Sequence, residues 1–203
     1  MAEVTTLLND ALGQLGQTEI DDIDDGSKAA RLCEIFYNPL RRALIRDHKW
    51  NFATSWQVLA QDVDTPPIKW AYQYTVPPNV LRVWGIDEEG CTPFEVIRGG
   101  DEIKKLVCNE SAVTAEMTFD CTNPDQWDGM FYMAIATAMA WKLAPGIIGG
   151  DTGLKVAREK FVEAFGSPAQ GISGLLKEAK AVDGQEEGPI YLRSTALTSI
   201  RNG

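Results

Sequence analysis

The 203-residue sequence predicts an α+β protein: a helical bundle of about four helices with an inserted small antiparallel β region and an extended C-terminal arm. Three observations lead there. Apolar residues recur at helical spacing in the first and last parts of the chain, the spacing changes toward two between residues 53 and 121, and beyond Gly184 no period survives. With 44% hydrophobic residues the chain can bury a real core, expected as one body over residues 1–184 followed by an arm over 185–203.

Val4, Leu7, Leu8, Ala11, Leu12 and Leu15 line one face of a first helix, expected over 2–16 and ended by Gly16, with Thr5, Asn9 and Gln14 on the polar face. An aspartate-rich linker follows, from which Ile20 and Ile23 tuck inward. The second helix, expected over 26–50, is the most informative stretch. Ser27 offers its oxygen to the first free N–H groups, Asp21, Asp22, Asp24 and Asp25 lie beside the positive end of the dipole, and Cys33, Phe36, Tyr37, Leu40 and Leu44 form one apolar stripe. Pro39 falls inside the pattern, where a missing donor bends a helix, and Arg41, Arg42 and Arg46 extend a basic face. His48, Lys49, Trp50, Asn51 and Phe52 close the run, and the two helices are expected to form an antiparallel or crossing pair.

In the β-rich insertion, 53–121, residues alternate through Trp56, Val58 and Ala60, then Trp70, Tyr72 and Tyr74, then Leu81, Val83 and Gly85, and finally Val113, Ala115, Met117 and Phe119. Turn chemistry separates these runs at Asp64-Thr65-Pro66-Pro67, Pro77-Pro78-Asn79, Glu89-Gly90 and Gly99-Gly100-Asp101. Strands this short cannot bury both faces alone, so a small antiparallel sheet must lean on the helices or on a neighbouring subunit. A third helix, expected over 124–144, starts with Asn123 as cap and Pro124 in the first turn, presents Trp127, Met130, Phe131, Ala134, Ile135, Ala138 and Trp141, and stops at Pro145-Gly146. Its alanines permit close approach of neighbours. A last helix over 151–182 carries Leu154, Ala157, Phe161, Ala164 and Phe165, meets a break at Gly166-Ser167-Pro168, and resumes through Ile172, Leu175, Leu176 and Ala179.

Nineteen basic against twenty-nine acidic side chains leave a net charge of −10, which argues against a surface that grips phosphate backbones; an acidic wall suits a passage through which DNA slides without sticking, but many soluble proteins are as acidic, so charge alone distinguishes nothing. The residues after Gly188 hold no acid, and Arg193 and Arg201 make that end positive. The four cysteines, Cys33, Cys91, Cys108 and Cys121, are spread singly with no ligand spacing and one histidine in the chain, so they read as reduced thiols and neither metal nor other cofactor is expected. Met1-Ala2-Glu3-Val4 has no basic or apolar leader character, and the longest apolar run, Met130 to Trp141, falls short of the roughly 20 residues that span a bilayer. Cytoplasmic synthesis and a soluble protein with no membrane partner are the expectation.

Candidate chemistry is sparse. His48 is the natural general base because imidazole titrates near neutral pH, yet no G-x-S-x-G elbow occurs and Cys33 lies about four helical turns away, so a helix-end or interface histidine is the better reading. Asp21 to Gly26 imitates the start of a calcium loop, but Ile23 and Leu32 fall where ligands are required. Gly99-Gly100 and Gly149-Gly150 complete no phosphate-binding motif and read as turns. Paired carboxylates for glycoside hydrolysis have no fixed sequence spacing and stay open. Of the six tryptophans, Trp127 and Trp141 read as core, while Trp50 and one or two in the strand region are assigned to subunit contacts.

The block Ser27-Lys28-Ala29-Ala30-Arg31 through His48-Lys49-Trp50-Asn51-Phe52-Ala53 resembles the start of the head-to-tail adaptor, or tail tubular A, proteins of tailed bacteriophages. Tyr74 to Val83, with its Pro77-Pro78 turn and Leu81-Arg82-Val83 strand, and Pro124-Asp125-Gln126-Trp127-Asp128 running into Ala134-Ile135-Ala136 and Met139-Ala140 are similar to later blocks of the same family, in order. The resemblance implies a virion structural protein without enzymatic activity, forming a dodecameric connector ring between the portal protein and a downstream tail or nozzle protein, with DNA passing through unread. Arg41, Arg42, Arg46, His48 and Trp50 are then the subunit-interface candidates. The arm, too short for its own core yet holding Ile190, Tyr191, Leu192, Arg193, Leu197, Ile200 and Arg201, is expected to order on the portal. Two other classes stay open: a tail-associated cell-wall hydrolase using paired carboxylates, and a small cytoplasmic regulator that binds through its acidic face.

Overall fold

The computed structural model describes residues 2–64, 66–67, 69–87, 91–100 and 102–186. The arm residues Ile190, Tyr191, Leu192, Arg193, Leu197, Ile200 and Arg201 lie outside the described residues. The protein mixes five α-helices with two small antiparallel sheets. Helix α1 spans Ala2–Gly13 and α2 spans Lys28–Asp47. The strands β1 (Thr54–Leu59), β2 (Tyr72–Thr75), β3 (Val80–Gly85), β4 (Phe94–Arg98), β5 (Lys104–Cys108) and β6 (Val113–Phe119) follow. Helices α3 (Gly129–Ile147), α4 (Gly150–Phe165) and α5 (Leu175–Asp183) complete the order.

Leu7, Leu8, Ala11 and Leu12 of α1 are fully buried, as their spacing requires. Gly16 closes the helix at a φ of 65°, with its N–H on the Gly13 carbonyl and the Gln17 N–H on that of Leu12, the paired bonds of a left-handed helix stop. Asn9, expected on the polar face, brackets Ile20: its Oδ1 accepts the Ile20 N–H at 2.9 Å and its Nδ2 donates to the Ile20 carbonyl at 3.0 Å. That clasp folds the acidic linker back onto α1 and drives Ile20 inward. At the start of α2 the Ser27 hydroxyl accepts the Ala30 N–H at 3.0 Å.

Helices α1 and α2 do not form the expected pair; each packs on α3, which also carries α4 and α5. The reason is the alanine content of α3. Ala134, Ala136, Ala138, Ala140 and Ala144 are all buried, so neighbours come close on several sides. A Cβ on Gly153 of α4 would stand 2.9 Å from the Ala144 carbonyl, and one on Gly146 would stand 2.9 Å from Leu32 of α2. Two boundaries differ from expectation here. Asn123 caps only a short 3-10 turn, Pro124–Gln126, while Asp128 caps α3 by accepting the Met130 and Phe131 N–H groups. The helix then runs through Pro145 to Ile147. The break expected at Gly166-Ser167-Pro168 divides the last helical stretch into α4 and α5, because Gly166 takes a φ of 83° and Gly171 one of 67°, which turns the chain back, and the helix resumes at Leu175 rather than through Ile172. Ile172 therefore lies in the turn, exposed.

The strands form two three-stranded sheets, ordered β1-β6-β3 and β2-β5-β4, rather than one. They enclose a second core of Leu59, Tyr74, Val76, Val80, Ile86, Leu106, Cys108, Val113, Ala115 and Met117. β4 and β5 carried no clear sequence signal, since Lys105 to Cys108 of the central strand β5 are all buried and so do not alternate. In β1 the alternation points the unexpected way. Trp56 and Val58 pair with Glu116 and Thr114 on the outer face and stay 43% and 78% exposed.

Candidate functional site: a cationic seam between helix and sheet

The last turns of α2 run alongside the start of β3, and four cations from three elements converge at that contact. Arg42 and Arg46 come from α2, Arg82 from β3 and Lys104 from β5. Arg46, Arg82 and Lys104 rim a recess of about 230 Å³ whose walls include Val76, Val80, Leu81, Val83 and Val96. Arg46 Nη1 donates to the Leu81 carbonyl at 3.2 Å, and Lys104 Nζ donates to the Val80 carbonyl at 2.8 Å. Those two carbonyls sit where the register of β3 against β6 shifts between Val80 and Arg82, so a bulge presents adjacent acceptors to both cations.

The electrostatics of the seam are one-sided. Among the described residues no carboxylate lies within ion-pairing distance of Arg46, Arg82 or Lys104. Arg42 Nε reaches Asp120 Oδ2 only at 3.6 Å, and that carboxylate is already paired with Arg41. Burial, then the charges of Arg46 and Arg42, hold the Lys104 ammonium below the usual lysine range. Arg82 is fixed by stacking, its guanidinium carbon 3.6 Å from the centre of the Trp84 ring, whose N–H donates to Thr118 Oγ1 at 2.7 Å. Lys49, also facing Trp84, is paired with Glu116. An array of fixed donors around an apolar floor, in which Arg46, Arg82 and Lys104 have no carboxylate partner among the described residues, is suited to binding an anion.

Two of the expected interface residues, Arg41 and Trp50, are buried, and a third, His48, is engaged by Asp183 of the same chain. Arg41 is a buried tie, 3% exposed, paired with Asp120 and donating to the Cys121 carbonyl at 3.0 Å and Asn38 Oδ1 at 3.3 Å. It lies over Tyr37, whose phenol burial pushes up to about 12. A helix-face pattern cannot distinguish an arginine facing water from one facing a buried acid on another element. Trp50 is fully buried: its indole N–H donates to the Leu44 carbonyl at 3.0 Å and its ring packs against His48, Phe52 and Phe131. With no surface to offer, it is core and not a subunit contact. Arg42 and Arg46 are exposed, as an interface role requires.

His48 is half-buried and serves as a clamp. Its Nε2 lies 3.1 Å from Asp183 Oδ2, while Asp183 Oδ1 accepts the Asn51 N–H at 3.0 Å and the Asp183 carbonyl accepts from Asn51 Nδ2 at 2.8 Å. Lys180 pairs with Asp47 beside it, so the end of α5 is fastened to the end of α2. Burial raises the Asp183 carboxyl above its ordinary value, opposed by the Asn51 N–H and by His48.

Other arrangements offer less chemistry. Among the described residues no group of three or more His, Cys, Asp or Glu is placed to hold a metal ion, and none of the cysteines is in a disulfide. Glu159 and Glu163 stand one turn apart on α4 but are exposed, and Glu163 is paired with Lys160 at 2.7 Å, so nothing excludes water or sets one acid apart from the other. No described helix is long and apolar enough to cross a membrane. Sequence reasoning reached Arg42 and Arg46 but not Arg82 and Lys104. Alternation in Leu81-Arg82-Val83 does turn Arg82 outward; nothing local marks Lys104. No protein-family model matches this chain, and no curated protein does either.

Proposed function

We propose that this chain is a structural subunit of a virion: one protomer of the head-to-tail connector ring of a tailed bacteriophage. In this reading the ring, expected to be dodecameric, binds the portal protein, receives a downstream tail or nozzle protein, and forms part of the channel through which DNA passes. The body is a helical bundle with an inserted β region, and the arm over 185–203 docks on the portal.

The observation that carries the reading is the uncompensated cationic seam on a chain of net charge −10, at the end of the helix whose sequence block resembles the adaptor family. A side-chain array that gathers four cations and leaves three without a carboxylate partner among the described residues serves contact with another molecule better than it serves folding, because like charges crowded together cost stability. The outward Trp56 and Val58 of β1 add an apolar surface of the kind subunits cover on assembly. The residues that carry the resemblance sit at framework positions, Ser27 as cap and Trp50 and Trp127 in the core, which fits a protein whose work is to hold shape.

The test mixes the purified full-length chain with purified portal rings and measures the mass of the product. A layer of this chain on the portal is expected, and truncation after Gly184 should abolish attachment while leaving the thermal melt of the body unchanged. A chain that stays monomeric beside the portal, or that releases soluble fragments from peptidoglycan, refutes the proposal.

A further inference from the structure

Resting on the ring-forming reading, we propose that the seam is the acceptor half of a head-to-tail contact whose donor half is the acidic segment Asp21–Asp25 of a second copy of this chain. The two charge sets are complementary, and both are unmet within one subunit. Asp21, Asp22, Asp24 and Asp25 make no ion pair among the described residues. Their internal bonds are to backbone: Asp22 Oδ1 accepts the Asp24 N–H at 3.3 Å and Asp25 Oδ1 the Ser27 N–H at 2.7 Å. Asp21, Asp24 and Asp25 are exposed.

The two sets cannot neutralise each other at home. The acidic segment precedes the first turn of α2 and the seam flanks its last turns, and a 20-residue helix holds its ends about 30 Å apart, beyond the reach of any pair of side chains. A body with a donor at one end and an acceptor at the other associates with a fixed polarity, each copy using a different face toward the next, and such contacts repeat until they close. The donor is held ready. The Asn9 clasp on Ile20 and the inward Ile23 turn the carboxylates outward, so little ordering cost remains for binding.

The occupant is a short acidic segment rather than a nucleic acid for a physical reason. A recess of about 230 Å³ walled by valines admits a few carboxylates, whereas a long phosphate backbone must also lie against the rest of a surface of net charge −10.

The experiment uses the full chain in two exposed charge reversals, R46E/R82E on the acceptor and D21K/D24K on the donor, each verified by its melt. Assembly is followed by sedimentation at high concentration and by the filling of portal rings, with carbodiimide coupling of Lys104 to carboxylates mapped by mass spectrometry. Each variant alone should associate about tenfold or more weakly than the parent chain. Mixed together they should associate again, because the intact donor of one variant meets the intact acceptor of the other and the reversed charges of the two are opposite in sign. In the parent chain Lys104 should couple to Asp21, Asp22, Asp24 or Asp25 of another copy. Parent and variants that fill the ring equally well would overturn the contact and leave the ring intact. A parent chain that never self-associates, alone or on the portal, overturns both. Binding of a DNA duplex that R46E/R82E abolishes, with no coupling between copies, would make the seam a phosphate site instead.

Discussion

Replacing Asp183 by alanine removes two acceptor oxygens from a site that is 3% exposed, at the point where α5 is fastened to the end of α2. The Asn51 N–H loses its acceptor in a part-buried position, at a cost of about 1–3 kcal/mol. His48 is 28% exposed, so water replaces much of its lost partner and adds no more than about 1 kcal/mol. The relief of no longer burying a carboxylate offsets part of the sum, leaving a net loss of about 1–3 kcal/mol. For a chain of this size that lowers the melting temperature by about 3–10 °C. Asp183→Asn keeps a carbonyl oxygen for the Asn51 N–H and an amide facing His48, and should stay within about 1 kcal/mol of the parent. The two variants also separate in pH. Because burial raises the Asp183 carboxyl above 3.8, the folded chain keeps a proton that the unfolded chain has released. The stability linked to that proton is complete below the unfolded value and is lost as pH rises through the folded one. Urea unfolding between about pH 4 and pH 7 should therefore show the parent losing ground to Asp183→Asn as pH increases. A constant gap, a gap of opposite sign, or an alanine variant as stable as the parent would refute the account of this clamp.

Trp50→Ala should destabilise the isolated chain by about 3–5 kcal/mol in chemical denaturation, because a buried indole, its hydrogen bond to Leu44 and three aromatic neighbours are lost together; a stable variant defective only in assembly would restore Trp50 to the interface. Gly174→Ala should lower the melting temperature although alanine suits its φ of −101°, since the new Cβ would fall 2.2 Å from the Gly166 nitrogen and 2.4 Å from the Phe165 carbonyl carbon, backbone atoms that cannot step aside. An unchanged or raised melt would show that the turn between α4 and α5 is looser than its contacts imply.

Much of the helical part is legible in the sequence because its signals are local. Ser27 caps α2 through the Ala30 N–H three residues on, Gly16 stops α1 with a left-handed turn, and Leu7, Leu8, Ala11 and Leu12 reach the core at the spacing that one helix face dictates. Where the reading failed, a partner distant in sequence decided the outcome. Arg41 looks like a surface cation until Asp120 is placed beside it, and Trp50 looks like a contact residue until Phe131 of α3 closes over it. In the β region, alternation identified β6 with its inward Val113, Ala115 and Met117, but β5 shows none because both of its faces are covered.

Amino-acid order alone settled what depends on spacing along one element: the helical stretches at both ends, Ile20 and Ile23 turned inward from the acidic linker, and Arg42 and Arg46 on a basic face. Tertiary structure alone brought Arg82 and Lys104 beside Arg46, split the strands into two sheets, and joined His48 to Asp183. The division follows from the range of the forces involved. Capping, helix period and turn conformation are governed by groups within a few residues of each other, whereas the neighbour that buries a ring or leaves a cation unpaired is chosen only when distant segments pack.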